Sequence, residues 1–216
     1  MKILLTGFEP NDDGLNASEI VVRSLKDNPP PLLREYRHDI HCKIMPGDTH
    51  ALGQVVDETL AQVAPDIYLG LGQARGYNRI ALEQMAKNLR YFVTPDRAGN
   101  TPKGESIVPD APLAYLSSLP SPNSLVTRLE QHTIPARIAN DCGTHLCNQV
   151  FYQVLHWRAL HRPDMRVGFV HIPILPEQVI QQWPDSPFMP LEMTRTAIAL
   201  ILDDQITQYR STTALG

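Results

Sequence analysis

Two of the chain's three cysteines lie five positions apart in Asn140-Asp141-Cys142-Gly143-Thr144-His145-Leu146-Cys147-Asn148, a passage that reads as strand, turn and helix start. Cys147 falls where the helix begins. Unpaired backbone N–H groups and the helix dipole favour a thiolate there and lower its pKa. The same N–H groups can hold an oxyanion on a carbonyl under attack. That is the chemistry of acyl transfer by a nucleophilic thiol. The bland alternative, a structural cysteine at a helix start, is common and stays open at this point. Cys42, in His41-Cys42-Lys43, has a mid-strand context without turn signals and reads as a small buried hydrophobe. Cys142, His145, Cys147 and Asp141 could also be taken as a metal site. No second Cys/His cluster accompanies them, and the spacing fits neither paired C-x2-C motifs nor a deaminase signature, so no metal is expected.

A nucleophilic thiol needs a base, and there are eight histidines. His156 and His161, near Trp157 on a polar helix end, read as surface residues. His38, His41, His50 and His132 lie in polar surroundings. His171 differs, because it ends the apolar run Val167–Val170 and precedes Ile172-Pro173. A strand's C-terminal edge is where α/β sheets place ligands, although a hydrogen-bonded core histidine would look the same. A third group should orient that histidine. Glu83, within Arg79-Ile80-Ala81-Leu82-Glu83-Gln84-Met85-Ala86, is the carboxylate most embedded among apolar neighbours, and a buried carboxylate is rarely unpaired. Asp96, in Pro95-Asp96-Arg97, competes with it but has the ordinary context of a turn aspartate.

The elements that must position these residues alternate. Ile3–Thr6, closed by Gly7, is a buried strand. Asn16 to Glu19 resembles a capping box ahead of a helix that Asn28-Pro29-Pro30-Pro31 stops. A weaker strand runs through Tyr36–Met45. Pro46-Gly47-Asp48 then caps a helix with Leu52, Val55, Val56, Leu60 and Val63 on one face. Ile67–Gly72 is a short strand, and Gly72-Gln73-Ala74-Arg75-Gly76 at its end lacks the spacing of a phosphate loop. Thr94–Asn123 is studded with prolines and reads as a long functional or mobile excursion, a candidate lid or inter-subunit contact. The second half resumes with a strand at Ile134–Ala139 and a helix from Cys147 to about Leu160, with Val150, Phe151, Val154 and Leu155 inward. A strand at Arg166–Pro173 and a helix from about Pro190 to Tyr209, burying Ala197, Ile198, Ile201 and Leu202, complete it. The alternation predicts an α/β fold with a mainly parallel sheet.

Composition narrows the function classes. With 216 residues the chain suits one domain, 1–216, and 43% hydrophobic against 19% charged residues excludes global disorder. A net charge of −4 argues against nucleic-acid binding, which needs a basic face. The N-terminal apolar run is too short for a signal peptide, and no stretch has the length of a membrane helix. The expectation is a cytoplasmic protein with free thiols.

Lys2-Ile3-Leu4-Leu5-Thr6-Gly7-Phe8-Glu9-Pro10, Gly72-Gln73-Ala74, Leu82-Glu83-Gln84-Met85-Ala86-Lys87-Asn88, Pro95-Asp96 followed by Gly99-Asn100, Gly143-Thr144-His145-Leu146-Cys147-Asn148 and Phe169-Val170-His171-Ile172-Pro173-Ile174-Leu175-Pro176-Glu177-Gln178 resemble, in order and spacing, type I pyroglutamyl peptidases. The resemblance spans nearly the whole chain. It implies a three-layer α/β/α sandwich around a mainly parallel twisted sheet, and a cysteine exopeptidase that removes an N-terminal pyroglutamyl residue without metal or cofactor. It implies Cys147 as nucleophile, His171 as general base and acid, and Glu83 as the residue orienting His171. It places Cys142 where relatives usually carry alanine, and so decides between the two thiols. Phe8, Asn11, Gln73, His145 and Leu146 are implied as substrate-binding positions. The implied partner is a peptide or small amide with a blocked N-terminus, and the implied assembly a homo-oligomer, dimer or tetramer.

The chain departs from the family's pattern around the pocket. Asn11-Asp12-Asp13 stands for Phe-Gly-Gly, His145 for an aromatic, Arg75-Gly76-Tyr77-Asn78 for Gly-Gly-Arg-Thr, and Val93 for an arginine. These exchanges predict a more polar pocket that trades ring packing for hydrogen bonding. They keep two alternatives in view: a cysteine amidase with a more polar substrate, and a non-catalytic homologue.

Overall fold

The computed structural model describes residues 1–10 and 14–213, so Asn11 lies outside the described residues. In chain order the elements are β1 (Ile3–Phe8), α1 (Ala17–Asp27), a 3-10 turn at Pro31–Tyr36, β2 (Ile40–Met45), α2 (Thr49–Val63), β3 (Ile67–Gln73), β4 (Ile80–Glu83), β5 (Met85–Lys87), β6 (Arg90–Tyr91), β7 (Lys103–Glu105), β8 (Ala114–Leu116), α3 (Pro122–Gln131), β9 (Ala136–Ala139), α4 (Leu146–His161), β10 (Arg166–Ile172), α5 (Pro176–Gln181) and α6 (Leu191–Thr213). Asn16 and Asp48 both act as N-caps, although the reciprocal half of the expected Asn16–Glu19 box is not seen among the described residues, Glu19 accepting from Arg23 Nε at 2.8 Å instead. The Asn16 side chain accepts from the Ser18 N–H at 2.9 Å, and Asp48 from the His50 N–H at 2.8 Å.

Six strands make one sheet in the order β2-β1-β3-β10-β4-β9. Four of them run parallel, while β4 pairs antiparallel with β10 and parallel with β9. Strand side chains alternate between two faces, and two apolar cores follow from that. Ile3, Leu5, Leu69, Leu71, Val170 and Ile172 pack under α1, α3 and α6. Leu4, Tyr68, Val167 and Phe169 pack under α2 and α4, against Leu52, Val56, Val150, Phe151 and Val154. The result is the three-layer α/β/α arrangement, with a mainly parallel sheet in the middle. Among the described residues no helix is long and apolar enough to cross a membrane.

The proline-studded stretch is more ordered than expected. β8 pairs with β5, and Ser117 and Ser118 hydrogen-bond across to Met165 and Val167 at the start of β10. Asn88 organises the turn opposite, accepting from the Ile107 and Val108 N–H groups at 2.8 and 2.9 Å. Of residues 94–123, Thr94 lines the pocket described below. His156 is also not the surface residue expected. It is half-buried, with its Nδ1 3.0 Å from the Tyr115 hydroxyl.

Candidate active site

Sheet register assembles the site. His171 sits directly opposite Gly72 on β3 and Ala81 on β4, so Glu83 is its diagonal neighbour on the same face. The His171 Nδ1–H donates to Glu83 Oε1 at 2.8 Å, with the two residues 7% and 1% exposed. That bond fixes the tautomer and turns Nε2 away from the carboxylate. Cys147 is the second residue of α4, and the first turn of that helix lies over the C-terminal end of β3. A Cβ added at Gly72 would stand 2.7 Å from Cys147 Sγ and 3.0 Å from the His171 ring, so the sulfur and the imidazole share the space that Gly72 leaves empty.

The electrostatics suit an ion pair. Burial alone would push the His171 imidazole down, but hydrogen bonding and charge from Cys147, together with Glu83, outweigh it and raise its pKa to about 9. Cys142 shows the opposite outcome. It is buried; burial, the Cys147 charge and Glu83 outweigh the opposing charge of Lys87 and hold its thiol well above the ordinary range. Burial likewise pushes Cys42 up to about 11. The N-cap of α4, His145, makes no side-chain cap hydrogen bond. First-turn N–H groups of a helix have no partner within the helix, so those of α4 remain available to an oxygen beside Cys147.

Cys147 and His171 open into a pocket of ≈ 570 Å³ lined also by Phe8, Asn16, Gln73, Tyr77, His145 and Leu146. Phe8, Gln73, His145 and Leu146 were expected there as substrate-binding positions and Tyr77 as part of a departure near the pocket; Asn16 was not expected. The Gln73 Oε1 is occupied structurally, accepting from the Ala17 N–H and the Gln178 Nε2 at 2.7 Å each. His145 stacks on Phe92 with ring centroids 3.9 Å apart, and its Nε2–H donates to Thr94 O at 3.2 Å. Burial lowers its pKa. The neutral ring therefore still offers a flat face, and part of its polarity is spent on a backbone carbonyl. Val93 points out, 82% exposed. Asp96 is the turn aspartate, despite its burial. It accepts from the Thr49, Ala98 and Asn100 N–H groups at 2.8, 3.0 and 2.8 Å, while the carboxylate bonded to His171 is Glu83. Among the described residues no group of three or more His, Cys, Asp and Glu side chains is placed to hold a metal ion.

Adding one methyl group at Gly72 tests how tightly this geometry is set. Gly72→Ala should leave the protein folded and lower kcat/KM by about 10²-fold, because the sulfur or the ring must move. Circular dichroism and steady-state rates on the same sample check both halves of that expectation.

A thiol at a helix N-terminus, an imidazole and a buried carboxylate on an α/β/α sandwich define the class of a cysteine hydrolase. Comparison with known proteins narrows it. The sequence profile of the family described as pyroglutamyl peptidase matches residues 1–208. The pyrrolidone-carboxylate peptidase of Bacillus thuringiensis subsp. konkukian is 34% identical over 206 residues, covering 95% of this chain and 93% of that protein. Among solved structures, pyroglutamyl peptidase I of Bacillus amyloliquefaciens superposes with a TM-score of 0.82 at 32% identity, covering 93% of this chain and 94% of that one. A mutant pyrrolidone carboxyl peptidase from Pyrococcus furiosus gives 0.87 at 31% identity, covering 97% and 100%. The chain belongs to the pyroglutamyl peptidase family, a family of cysteine peptidases.

Proposed function

We propose that this protein is a cysteine exopeptidase that hydrolyses the amide bond after an N-terminal pyroglutamyl residue, with Cys147 as nucleophile, His171 as general base and acid, and Glu83 orienting His171. The observation that carries this reading is the shared space above Gly72, where the Cys147 sulfur meets an imidazole tied to a buried carboxylate. In the thiolate–imidazolium form Cys147 attacks the pyroglutamyl carbonyl, and the oxyanion is held by first-turn N–H groups of α4. Collapse of that intermediate breaks the C–N bond, and the leaving amine takes its proton from His171. The imidazole, now neutral, removes a proton from water as it attacks the thioester. Free pyroglutamate departs, and the proton left on His171 restores the starting ion pair.

Hydrolysis of a fluorogenic pyroglutamyl amide tests the substrate. Release of the fluorophore, with no release from the corresponding uncyclised glutaminyl amide, is the expected result. Turnover of both or of neither would contradict pyroglutamyl specificity.

Residues 1–216 are taken to fold as one domain, since a single sheet serves both apolar cores. One cooperative unfolding transition is the corresponding observation, and two resolved transitions would refute it. Assembly as a homo-oligomer, dimer or tetramer, is supported by the exposure of Leu113 and Leu116, 87% and 71%. Sedimentation velocity showing only monomer at micromolar concentration would exclude it. A cytoplasmic location accords with three free thiols, and recovery of the protein only from a secreted fraction would exclude it.

A further inference from the structure

Tyr77 forms the pocket wall beyond His171, and Arg137 stands against that ring from outside the pocket lining. Gly76, with φ of +89°, turns the chain after β3, and the Tyr77 N–H closes that turn on Ala74 O at 3.2 Å. This presents the Tyr77 ring to the pocket edge-on to His171, with centroids 5.8 Å apart and planes at 71°. The Arg137 guanidinium lies over the same ring, 4.5 Å from its centroid. Register explains how it arrives there. Arg137 pairs with Ala81 across β9 and β4, and Ala81 pairs in turn with His171.

Arg75 and Arg79 flank the turn. Arg75 lies over Trp183 at 5.5 Å, and Arg79 bonds the Asn78 side chain at 3.1 Å. Among the described residues neither of them, nor Arg137, makes an ion pair. The nearest buried carboxylate, Glu83, is committed to His171.

Chemistry decides which part of a substrate meets this wall. An imidazolium that protonates the leaving amine must stand beside the scissile nitrogen. Groups beyond His171 therefore face the residue downstream of the cut, not the acyl ring. A guanidinium resting on an aromatic face keeps its in-plane N–H donors, which match a carboxylate.

We propose that Arg137, seated on Tyr77, reads a carboxylate on the first residue downstream of the scissile bond, either the C-terminal carboxylate of a pyroglutamyl dipeptide or an acidic side chain at that position. The inference rests on the peptidase reading above and adds a leaving-group preference to it.

The test compares kcat/KM for pyroglutamyl-alanine, its C-terminal amide and pyroglutamyl-glutamate amide at low ionic strength. The enzymes are wild type, Arg137→Gln, Arg137→Lys and the remote control Arg23→Gln. Wild type should favour a carboxylate-bearing peptide over the neutral amide by about fivefold to tenfold. Which acidic peptide is favoured identifies the source of the carboxylate. The ratio should fall toward one in Arg137→Gln, recover in part in Arg137→Lys and stay put in Arg23→Gln. A second readout needs no substrate: the rate of Cys147 alkylation by iodoacetate relative to iodoacetamide, followed by mass spectrometry, should drop severalfold in Arg137→Gln. Equal rates for acid and amide in wild type, or a carboxylate preference untouched by Arg137→Gln, would overturn the proposal. If no pyroglutamyl peptide were cleaved, the substrate reading would be at fault. The alkylation ratio would then decide the proposal, a drop upholding Arg137 as the anion-reading group and an unchanged ratio ending it.

Discussion

Cys147→Ala is expected to abolish hydrolysis of pyroglutamyl amides, a loss of about 10⁶-fold in kcat by analogy with nucleophile deletions in serine hydrolases. The size follows from the mechanism, since no acyl-enzyme can form without the Cys147 sulfur. Cys142 cannot substitute although it lines the same pocket, because burial keeps its thiol protonated and it does not sit at the start of α4. The variant should fold normally, as Cys147 is half-buried and alanine suits the first turn of a helix. Rates with a fluorogenic amide, together with a thermal melt, check both parts.

Glu83→Gln is the second large effect, about 10²–10⁴-fold in kcat. Neutralising the carboxylate of a catalytic triad elsewhere costs about 10⁴, largely by releasing the histidine tautomer. Here the carboxamide can keep contact with Nδ1 but no longer stabilises an imidazolium in a buried place. The pH profile carries a second, independent signature. The His171 pKa is raised to about 9, with hydrogen bonding and charge from Cys147 and Glu83 overcoming burial. Wild-type activity should accordingly fall as pH rises through about 9, where the proton destined for the leaving amine is lost. That limb belongs to the coupled thiol–imidazole pair rather than to one group. Removing the Glu83 charge takes away one of the groups that raise the pKa, so the limb should move to lower pH in Glu83→Gln. An unchanged profile would mean that Glu83 does not act through His171.

Much of the framework was legible before any coordinates. Strands β1, β3 and β10 announced themselves as short apolar runs ending in glycine, histidine or proline, and the caps at Asn16 and Asp48 marked two helices. Local context put Cys147, His171 and Glu83 forward, through a helix start, a strand end and an apolar neighbourhood, while the choice between Cys147 and Cys142 came from the family resemblance. What was not legible depends on register and on contacts distant in sequence. β4 is four residues long and buried on both faces, so Ile80-Ala81-Leu82-Glu83 shows no alternation and gives no hint of its antiparallel pairing. The short strands within residues 84–119 are pinned by Asn88 and by the serines against β10, contacts that no periodicity reports. Gly72 reads as a strand end, while its role in making room for a sulfur and an imidazole exists only once α4 is laid over β3. Tyr77 and Arg137 are 60 positions apart and meet only through the β4–β9 and β4–β10 pairings. That the His145 ring stacks on Phe92 could not be read from the sequence, because the two are 53 positions apart.

The central claim is a covalent pyroglutamyl intermediate on Cys147, and rapid acid quench with mass spectrometry tests it most directly. Wild-type protein mixed with a pyroglutamyl ester, whose good leaving group speeds acylation, should yield the peptide containing Cys147 carrying a pyroglutamyl thioester. That adduct should disappear as substrate is exhausted and should be absent from Cys147→Ala. Continued turnover with no adduct on Cys147, or with the acyl group found on Cys142 instead, would contradict the account.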